Sequence, residues 1–453
     1  MPRVMVIGLD CAPPALVFDR LEAALPNLTK LRRRGAWGPL RSVAPPITVP
    51  AWACMVSGRD PGELGLYGFR NRVPGTYDLS VADGDAVQVP RVWDLAGGAG
   101  KRVAVCYVPM TSPPKPVHGV LVGGFLGSDE VNTYPAALGP TLEARFGPHR
   151  PDVDEFRTED KQALLDALYD TTTLHFDVFG ALWREEKPDF AMMVEMGTDR
   201  LHHALWTHLD PSAPEHDPSH PLVREARDYY AFVDAQVGAL IEQADDDTAI
   251  LVCSDHGARR MEGGVCVNEH LRRTGWLTLR EEPASPRALT PDMIDWSRTK
   301  AWSTGGYYAR VFFNVAGREP EGVVPAEALG DERAALARQL EALVPETRAE
   351  TPEALYRAVN GLAPDLLVFF GDLRRRALGT VGGEVFADSD DRGPDGCNHD
   401  WDGVFIAAGA GVRARGPLEG LSIHDVGATA LALLGVDRPG DWLGTDRAEA
   451  STK

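Results

Sequence analysis

Cysteine is scarce in this chain and falls at scattered positions. Cys11, Cys54, Cys106, Cys253, Cys266 and Cys397 show no paired spacing. They read as reduced thiols in a core or beside a site, not as a disulfide framework. Long apolar runs are also missing, and nothing in the 453 residues is continuous enough to cross a bilayer. The opening residues, MPRVMVIGLD, lack the charged, apolar and small-residue sections of a secretory leader. The expectation is a cytoplasmic protein with no membrane partner. Positive charge is in deficit, with 46 Lys and Arg against 66 Asp and Glu and a formal net charge of −20. No basic stripe interrupts the deficit, which argues against a nucleic acid polymer as partner. Internal repeats and low-complexity tracts are absent. A homodimer is left open.

What is present suits a large α/β protein. Hydrophobic residues make up 44% of the chain, enough for a sizeable core. Residues 4–9 form a short apolar run ending at Asp10, as expected of a buried parallel strand. Residues 16–34 have helical spacing, with turns at Pro26 and Gly35. Further strands are expected at 102–108, 189–196, 248–253, 365–370 and 404–408. Helices are expected at 161–187, 222–243 and 423–435. This alternation predicts a mostly parallel central sheet flanked by helices on both faces. Residues 263–392 are less regular and hold a charged helix near 332–343. They are expected to be an inserted cap or subdomain, with residues 1–262 and 393–453 forming the α/β core.

Ligands of an open parallel sheet bind where the strands end at their carboxyl edge. Three expected strands deliver acid or imidazole there: Asp10 after the first, Asp199 after the strand ending at Met196, and Asp255 with His256 after the strand ending at Cys253. Asp199 and His203 are four apart and would share one helix face, as two ligands of one ion require. A slip of register would exchange His203 for His202; the four-residue spacing favours His203. His399 lies in GCNHDWDG, read as a loop before a strand. Carboxylate and imidazole together favour zinc, with manganese as the alternative. Thr48 precedes Pro50 and an apolar segment, so it is expected just before a helix N-terminus, where negative charge is stabilised. Taken singly, Asp10 reads as a helix cap, Thr48 as a loop residue, and Asp199 with His203 equally as a surface pair or as ligands. Their convergence on one sheet edge is what argues for chemistry.

The ordered set GLD, TVPAW, TDRLHH, SDHG and GCNHDWDG resembles the alkaline phosphatase superfamily, and most closely its type I phosphodiesterase/nucleotide pyrophosphatase branch. The likeness runs from Val4 to the closing HDVGATALALLGV segment. It implies an alkaline-phosphatase-like fold with two metal ions at the carboxyl edge. One ion would be held by Asp199, His203 and His399, and the other by Asp10, Asp255 and His256, with Thr48 beside it as nucleophile. The resemblance also suggests Asn71 as a donor to the substrate phosphate, and Arg70 is an equal candidate. Two features depart from the secreted members: Leu64 stands where they carry a histidine, and their disulfide-bonded extra domains are missing.

The reaction these features imply is hydrolysis of a small phosphate ester or nucleotide-like substrate through a phosphothreonine intermediate. A phosphomonoesterase or phosphonate hydrolase is the alternative within the same chemistry. A sulfatase is disfavoured, because Thr48-Val49-Pro50-Ala51-Trp52 lacks the Cys/Ser-x-Pro-x-Arg context. A non-catalytic binding relative would be expected to have lost a ligand or the nucleophile, and none is missing.

Overall fold

The computed structural model describes residues 2–126 and 131–448. At its centre is a ten-stranded sheet. Its strands are β1 (Arg3–Leu9), β2 (Ala36–Arg41), β3 (Val103–Cys106), β4 (Gly119–Val122), β5 (Thr133–Tyr134), β6 (Phe190–Glu195), β7 (Thr248–Cys253), β8 (Asp402–Gly409), β9 (Gly416–Pro417) and β10 (Leu421–Ser422). The spatial order is β9-β2-β8-β7-β1-β6-β3-β4-β5, with β10 also paired to β2. From β7 through β1, β6 and β3 to β4 all pairings are parallel. β8 runs antiparallel against both β7 and β2.

β1 shows why the sheet sits between two layers. Met5, Ile7 and Leu9 face one apolar cluster while Val4 and Val6 face another, as the two-residue period of a strand dictates. Helices α1 (Pro26–Arg33), α3 (Lys161–Glu186), α4 (Gly197–Leu209) and α5 (Pro221–Glu242) cover the first face. Helices α2 (Thr48–Ser57) and α6 (His424–Leu434) cover the second. Gly8 is needed at that second face: a Cβ there would lie 2.5 Å from the Trp52 ring.

The strand expected at 404–408 is present as β8, but it reverses direction. The helical segment expected at 16–34 is broken into a π-helical turn (Ala15–Arg20), a 3-10 turn (Glu22–Ala24) and α1. Pro26 at the first turn of α1 has no N–H to continue the preceding turn, which explains the restart. β2 carries Pro39 and alternates buried with less buried residues. It lies near the sheet margin, where proline is tolerated.

Between Gly257 and Asp400 the chain leaves the sheet. Strands Gly257–Arg260 and Cys397–Asp400 form an antiparallel pair at the exit and return. Beyond them a four-stranded antiparallel sheet forms, in the order Ala301–Thr304, Ala309–Phe313, Leu366–Phe369, Arg348–Glu350. It has its own apolar cluster around Trp296, Phe313 and Leu340. Tyr77 stacks on Trp296 at 3.6 Å, and Arg72 forms a buried ion pair with Glu319 at 2.6 Å. These contacts tie the hairpin Arg70–Arg72/Leu79–Val81 to this region.

Candidate active site

The carboxyl edge of the parallel strands gathers the acid and imidazole groups. Asp10 follows β1, α4 starts directly after β6 and carries Asp199 and His203, and Asp255 and His256 follow β7. His399 lies within strand Cys397–Asp400, opposite Ala258, not in a loop. That pairing holds His399 beside the strand that extends from His256. Thr48 is the first residue of α2, with Ile47 as the N-cap, one position further into the helix than its spacing suggested.

Two triads result. In one, Asp199 Oδ1 lies 3.3 Å from His203 Nε2 and 3.5 Å from His399 Nε2. In the other, His256 Nε2 lies 3.1 Å from Asp255 Oδ2 and 3.8 Å from Asp10 Oδ1. Within each triad the ligand atoms lie within 4.8 Å of one another. The His256 and His399 rings stack at 3.8 Å, so the two triads adjoin. Thr48 Oγ1 lies 3.4 Å from His256 Nε2.

Which atoms are tethered matters most. His399 Nδ1 lies 2.9 Å from the Pro46 carbonyl oxygen, and His256 Nδ1 lies 3.1 Å from that of Gly257. A carbonyl only accepts, so each Nδ1 carries a proton and each Nε2 is the ring atom left to bind a cation. His203 Nδ1 is held 3.0 Å from Asp395 Oδ1. The acids follow the same rule. Asp10 Oδ2 accepts from Trp52 Nε1 at 2.7 Å, Asp255 Oδ1 from the Cys11 amide at 3.1 Å, and Asp199 Oδ2 from Arg200 Nη1 at 2.7 Å. Their opposite atoms, Asp10 Oδ1, Asp199 Oδ1 and Asp255 Oδ2, together with His399 Nε2, are buried without a hydrogen-bond partner. Buried polar atoms rarely go unsatisfied, and four converging at one place fit divalent cations.

The electrostatics point the same way. Burial, and then the charges of Asp255 and Asp199, raise the Asp10 carboxyl well above the usual carboxylate range. Burial opposes a charged His256, but Asp255 and Asp10 outweigh it and push the imidazole up to about 9. A cation held between the acids would remove this repulsion. Cys11 also lies near His256 and His399. Burial pushes its thiol well up, and Sγ donates to the Gly257 carbonyl at 3.3 Å, so it acts as a neutral neighbour.

Several supporting residues carry no sequence signal of their own. Cys11 adopts φ 63°, unusual for a non-glycine residue, and this turn aims its N–H at Asp255. Thr198 Oγ1 donates to the Asp10 carbonyl at 2.6 Å, joining β1 to α4. Glu195 Oε1 accepts from Gly197 N at 2.8 Å and Thr172 Oγ1 at 3.1 Å, and Oε2 meets His175 Nδ1 at 3.0 Å. Gly197 must lack a side chain, because a Cβ there would sit 1.9 Å from the Tyr229 hydroxyl. Asp395 is itself gripped by Arg376 at 2.8 Å and Arg157 at 2.9 Å. Tyr307 stacks on His399 at 3.7 Å and brings its hydroxyl 3.3 Å from His203 Nε2. The nearby Trp296, Trp302 and Tyr308 are buried in apolar clusters.

His202 points away from the triads, its Nε2 2.8 Å from the Tyr230 hydroxyl, so the helix register favours His203. Asn71 spends its side chain locally: Oδ1 accepts from Tyr67 N at 2.8 Å and Nδ2 donates to the Gly68 carbonyl at 3.2 Å. Arg70 next to it has an exposed side chain.

An open α/β sheet that gathers two acid–imidazole triads and a helix-borne threonine at its carboxyl edge has the layout of a metal-dependent hydrolase of the alkaline phosphatase superfamily. Residues 4–379 match the family model "Type I phosphodiesterase / nucleotide pyrophosphatase". The chain belongs to that family, and it is a phosphoric ester hydrolase. Among solved structures, human ectonucleotide pyrophosphatase/phosphodiesterase 5 is similar at TM-score 0.60 and 14% identity, over 98% of this chain and 97% of that one. Phosphonoacetate hydrolase from Sinorhizobium meliloti 1021 is similar at 17% identity, over 96% of both chains. Its TM-score is 0.61 in complex with phosphonoformate and 0.62 with phosphonoacetate. At these identities the two likenesses speak for the fold. Among curated proteins, none matches the sequence. No helix among the described residues is long and apolar enough to cross a membrane.

Proposed function

We propose that this chain is a phosphodiesterase or nucleotide pyrophosphatase that works through a covalent phosphothreonine on Thr48. Asp199, His203 and His399 would hold one divalent cation and Asp10, Asp255 and His256 the other, with Thr48 beside the second. Zinc suits the mixed carboxylate and imidazole donors, with manganese as the alternative. The observation that carries this reading is the set of four buried, unpartnered ligand atoms in the two triads, one of which also brings His256 Nε2 to 3.4 Å from the Thr48 hydroxyl. Residues 263–392 would form the cap that brings Tyr307 against the core of residues 1–262 and 393–453.

When bound, such ions supply Lewis acidity that lowers hydroxyl and water pKa values and offsets charge at phosphorus. The chain's own part is positioning. Thr48 opens α2, so its Oγ1 sits at the positive end of the helix dipole, where a negatively charged phosphoryl group is favoured. Attack breaks the Thr48 O–H bond, forms the Oγ1–P bond and breaks the P–O bond to the leaving alcohol or phosphate, which departs with its electron pair while the hydroxyl proton passes to solvent or to the leaving oxygen. Water then attacks the phosphothreonine and gives up a proton, the Oγ1–P bond breaks, and Oγ1 takes up a proton to restore Thr48. Trp52, the Cys11 amide, Arg200 and Asp395 hold the ligands in place through both steps.

Hydrolysis of a phosphonate is the second reading, favoured by the likeness in fold to phosphonoacetate hydrolase. Nitrophenyl phosphodiester, nitrophenyl phosphomonoester and phosphonoacetate, supplied to the metal-loaded protein, separate the readings. Preference for the diester supports the first, and turnover of phosphonoacetate alone supports the second. Acid quenching during turnover should trap a phosphate adduct on Thr48. Turnover without any adduct, with Thr48→Ala still active, would contradict the nucleophile.

A further inference from the structure

Burying an arginine without a counter-ion is costly. Arg32, Arg72, Arg200 and Arg376 are buried, and each is paired with a carboxylate. Arg91, also buried, has the charges of Asp94 and Asp85 beside it. Arg310 differs. It is only 8% exposed, and its Nη1 donates to the Arg70 carbonyl. Burial disfavours its charge, Tyr308 partly offsets this, and the positive charges of Arg392 and Arg70, both with exposed side chains, add to the cost. Among the described residues, none of the three guanidiniums makes an ion pair. Among the described buried arginines the omission is peculiar to Arg310, in a chain with 66 acidic residues and a net charge of −20.

The location gives the omission a meaning. Arg310 lies on strand Ala309–Phe313, and its guanidinium and the Tyr308 hydroxyl both lie against Gly68. The Tyr308 hydroxyl donates to the Tyr67 carbonyl. Gly68 lies directly against Arg310, and a Cβ there would stand 3.0 Å from Nη1. Phe69 follows, its ring 6.4 Å from that of Tyr307, whose hydroxyl reaches His203. Ile47, the neighbour of Thr48, belongs to the same apolar cluster as Tyr67, Tyr308 and Phe69. The cationic group thus lies beside the Gly68–Phe69 segment, and Phe69 leads on through Tyr307 to the triads.

We propose that Arg310, with Arg70 and Arg392, forms an anion-binding subsite at the rim of the active site, and that it selects phosphoesters carrying a second anionic group, phosphate or carboxylate, beyond the scissile phosphorus. The inference rests on the phosphoester hydrolase reading of the centre. A guanidinium fork matches either anion bidentately. A desolvated guanidinium discriminates more strongly than a solvated one. The incoming anion also cancels the mutual repulsion of the three arginines.

The test uses nitrophenyl diesters of phosphoric acid whose second alcohol is ethanol, 3-hydroxypropanoate or 2-hydroxyethylphosphonate. The readout is the ratio of kcat/KM for each charged ester to that for the ethyl ester. In the wild-type enzyme at least one ratio should be about tenfold or more, and which one identifies carboxylate or phosphoryl as the preferred anion. Arg310→Met should bring it close to one, and the surface double variant Arg70→Gln/Arg392→Gln should lower it severalfold. A wild-type ratio near one, or a ratio unchanged in the double variant, overturns the subsite while leaving hydrolysis itself established. If Arg310→Met does not fold, the double variant decides alone. If no ester turns over, the hydrolase reading fails separately, and calorimetric binding of methylenediphosphonate judges the subsite. Affinity at least about fivefold weaker in the double variant supports it, and equal affinity overturns it.

Discussion

The two triads use the same kinds of donor but are anchored in different ways. Asp10, Asp255 and His256 are fixed by neutral groups of the α/β core: the Trp52 indole, the Cys11 amide and the Gly257 carbonyl. In the other triad His399 is also held by a neutral group, the Pro46 carbonyl, but Asp199 and His203 are fixed by ions. Arg200 holds Asp199 and is itself clamped by Asp152 at 3.0 Å, while Asp395 holds His203 and is gripped by Arg157 and Arg376. Tyr307 reaches only this second triad, through the His203 and His399 rings. The first half-site therefore behaves as part of the sheet. The second depends on a charged shell spread over residues distant in sequence, so it is the half that salt, substitution and movement of residues 263–392 should perturb.

Substitutions that cut one anchor at a time can break this contrast. Removing a ligand is the severest case. His256→Ala should lower kcat/KM by about 10³-fold or more and lose one metal equivalent, read by turnover and elemental analysis. Asp395→Asn should weaken metal binding at the Asp199 triad by about 10- to 100-fold. Under limiting metal the protein should then hold one ion where the wild type holds two, as counted by competition with a chromophoric chelator. Trp52→Phe should weaken the Asp10 triad by roughly tenfold, the lower end of the same range, because the indole donates a single neutral hydrogen bond. If Trp52→Phe and Asp395→Asn deplete the same ion, the division into two separately anchored halves is wrong. Tyr307→Phe should have the smallest effect, about 2- to 10-fold on kcat with metal content unchanged, because it removes one hydroxyl and keeps the ring on His399.

Much of the centre is legible in the sequence, for a physical reason. Asp10, Asp199, Asp255 and His256 follow apolar runs that must be strands, and the ends of parallel strands share one edge. The four-residue step from Asp199 to His203 is a helix period, and Pro50 marks the start of the helix that carries Thr48. The anchors are less legible. Asp395 and His203, or Trp52 and Asp10, meet only through the tertiary fold, and no local period registers such a meeting. The aromatic residues of residues 263–392 look alike in sequence, yet Trp296 and Trp302 form a core while Tyr307 faces the triads. β2 was hidden by Pro39, which argues against a strand unless the strand lies near a sheet margin. Asn71 is a donor candidate only through the resemblance, and its amide closes the turn from Tyr67.

The most direct test of the account measures metal content and phosphodiester hydrolysis on one preparation of the wild-type protein and of Thr48→Ala. The account predicts about two divalent ions per chain in both proteins. It predicts a phosphate adduct on Thr48 in the wild type under acid quench, and a loss of turnover of about 10³-fold or more in the variant. A chain that binds no divalent ion under any loading condition, or a Thr48→Ala protein that hydrolyses the ester at the wild-type rate, would contradict it.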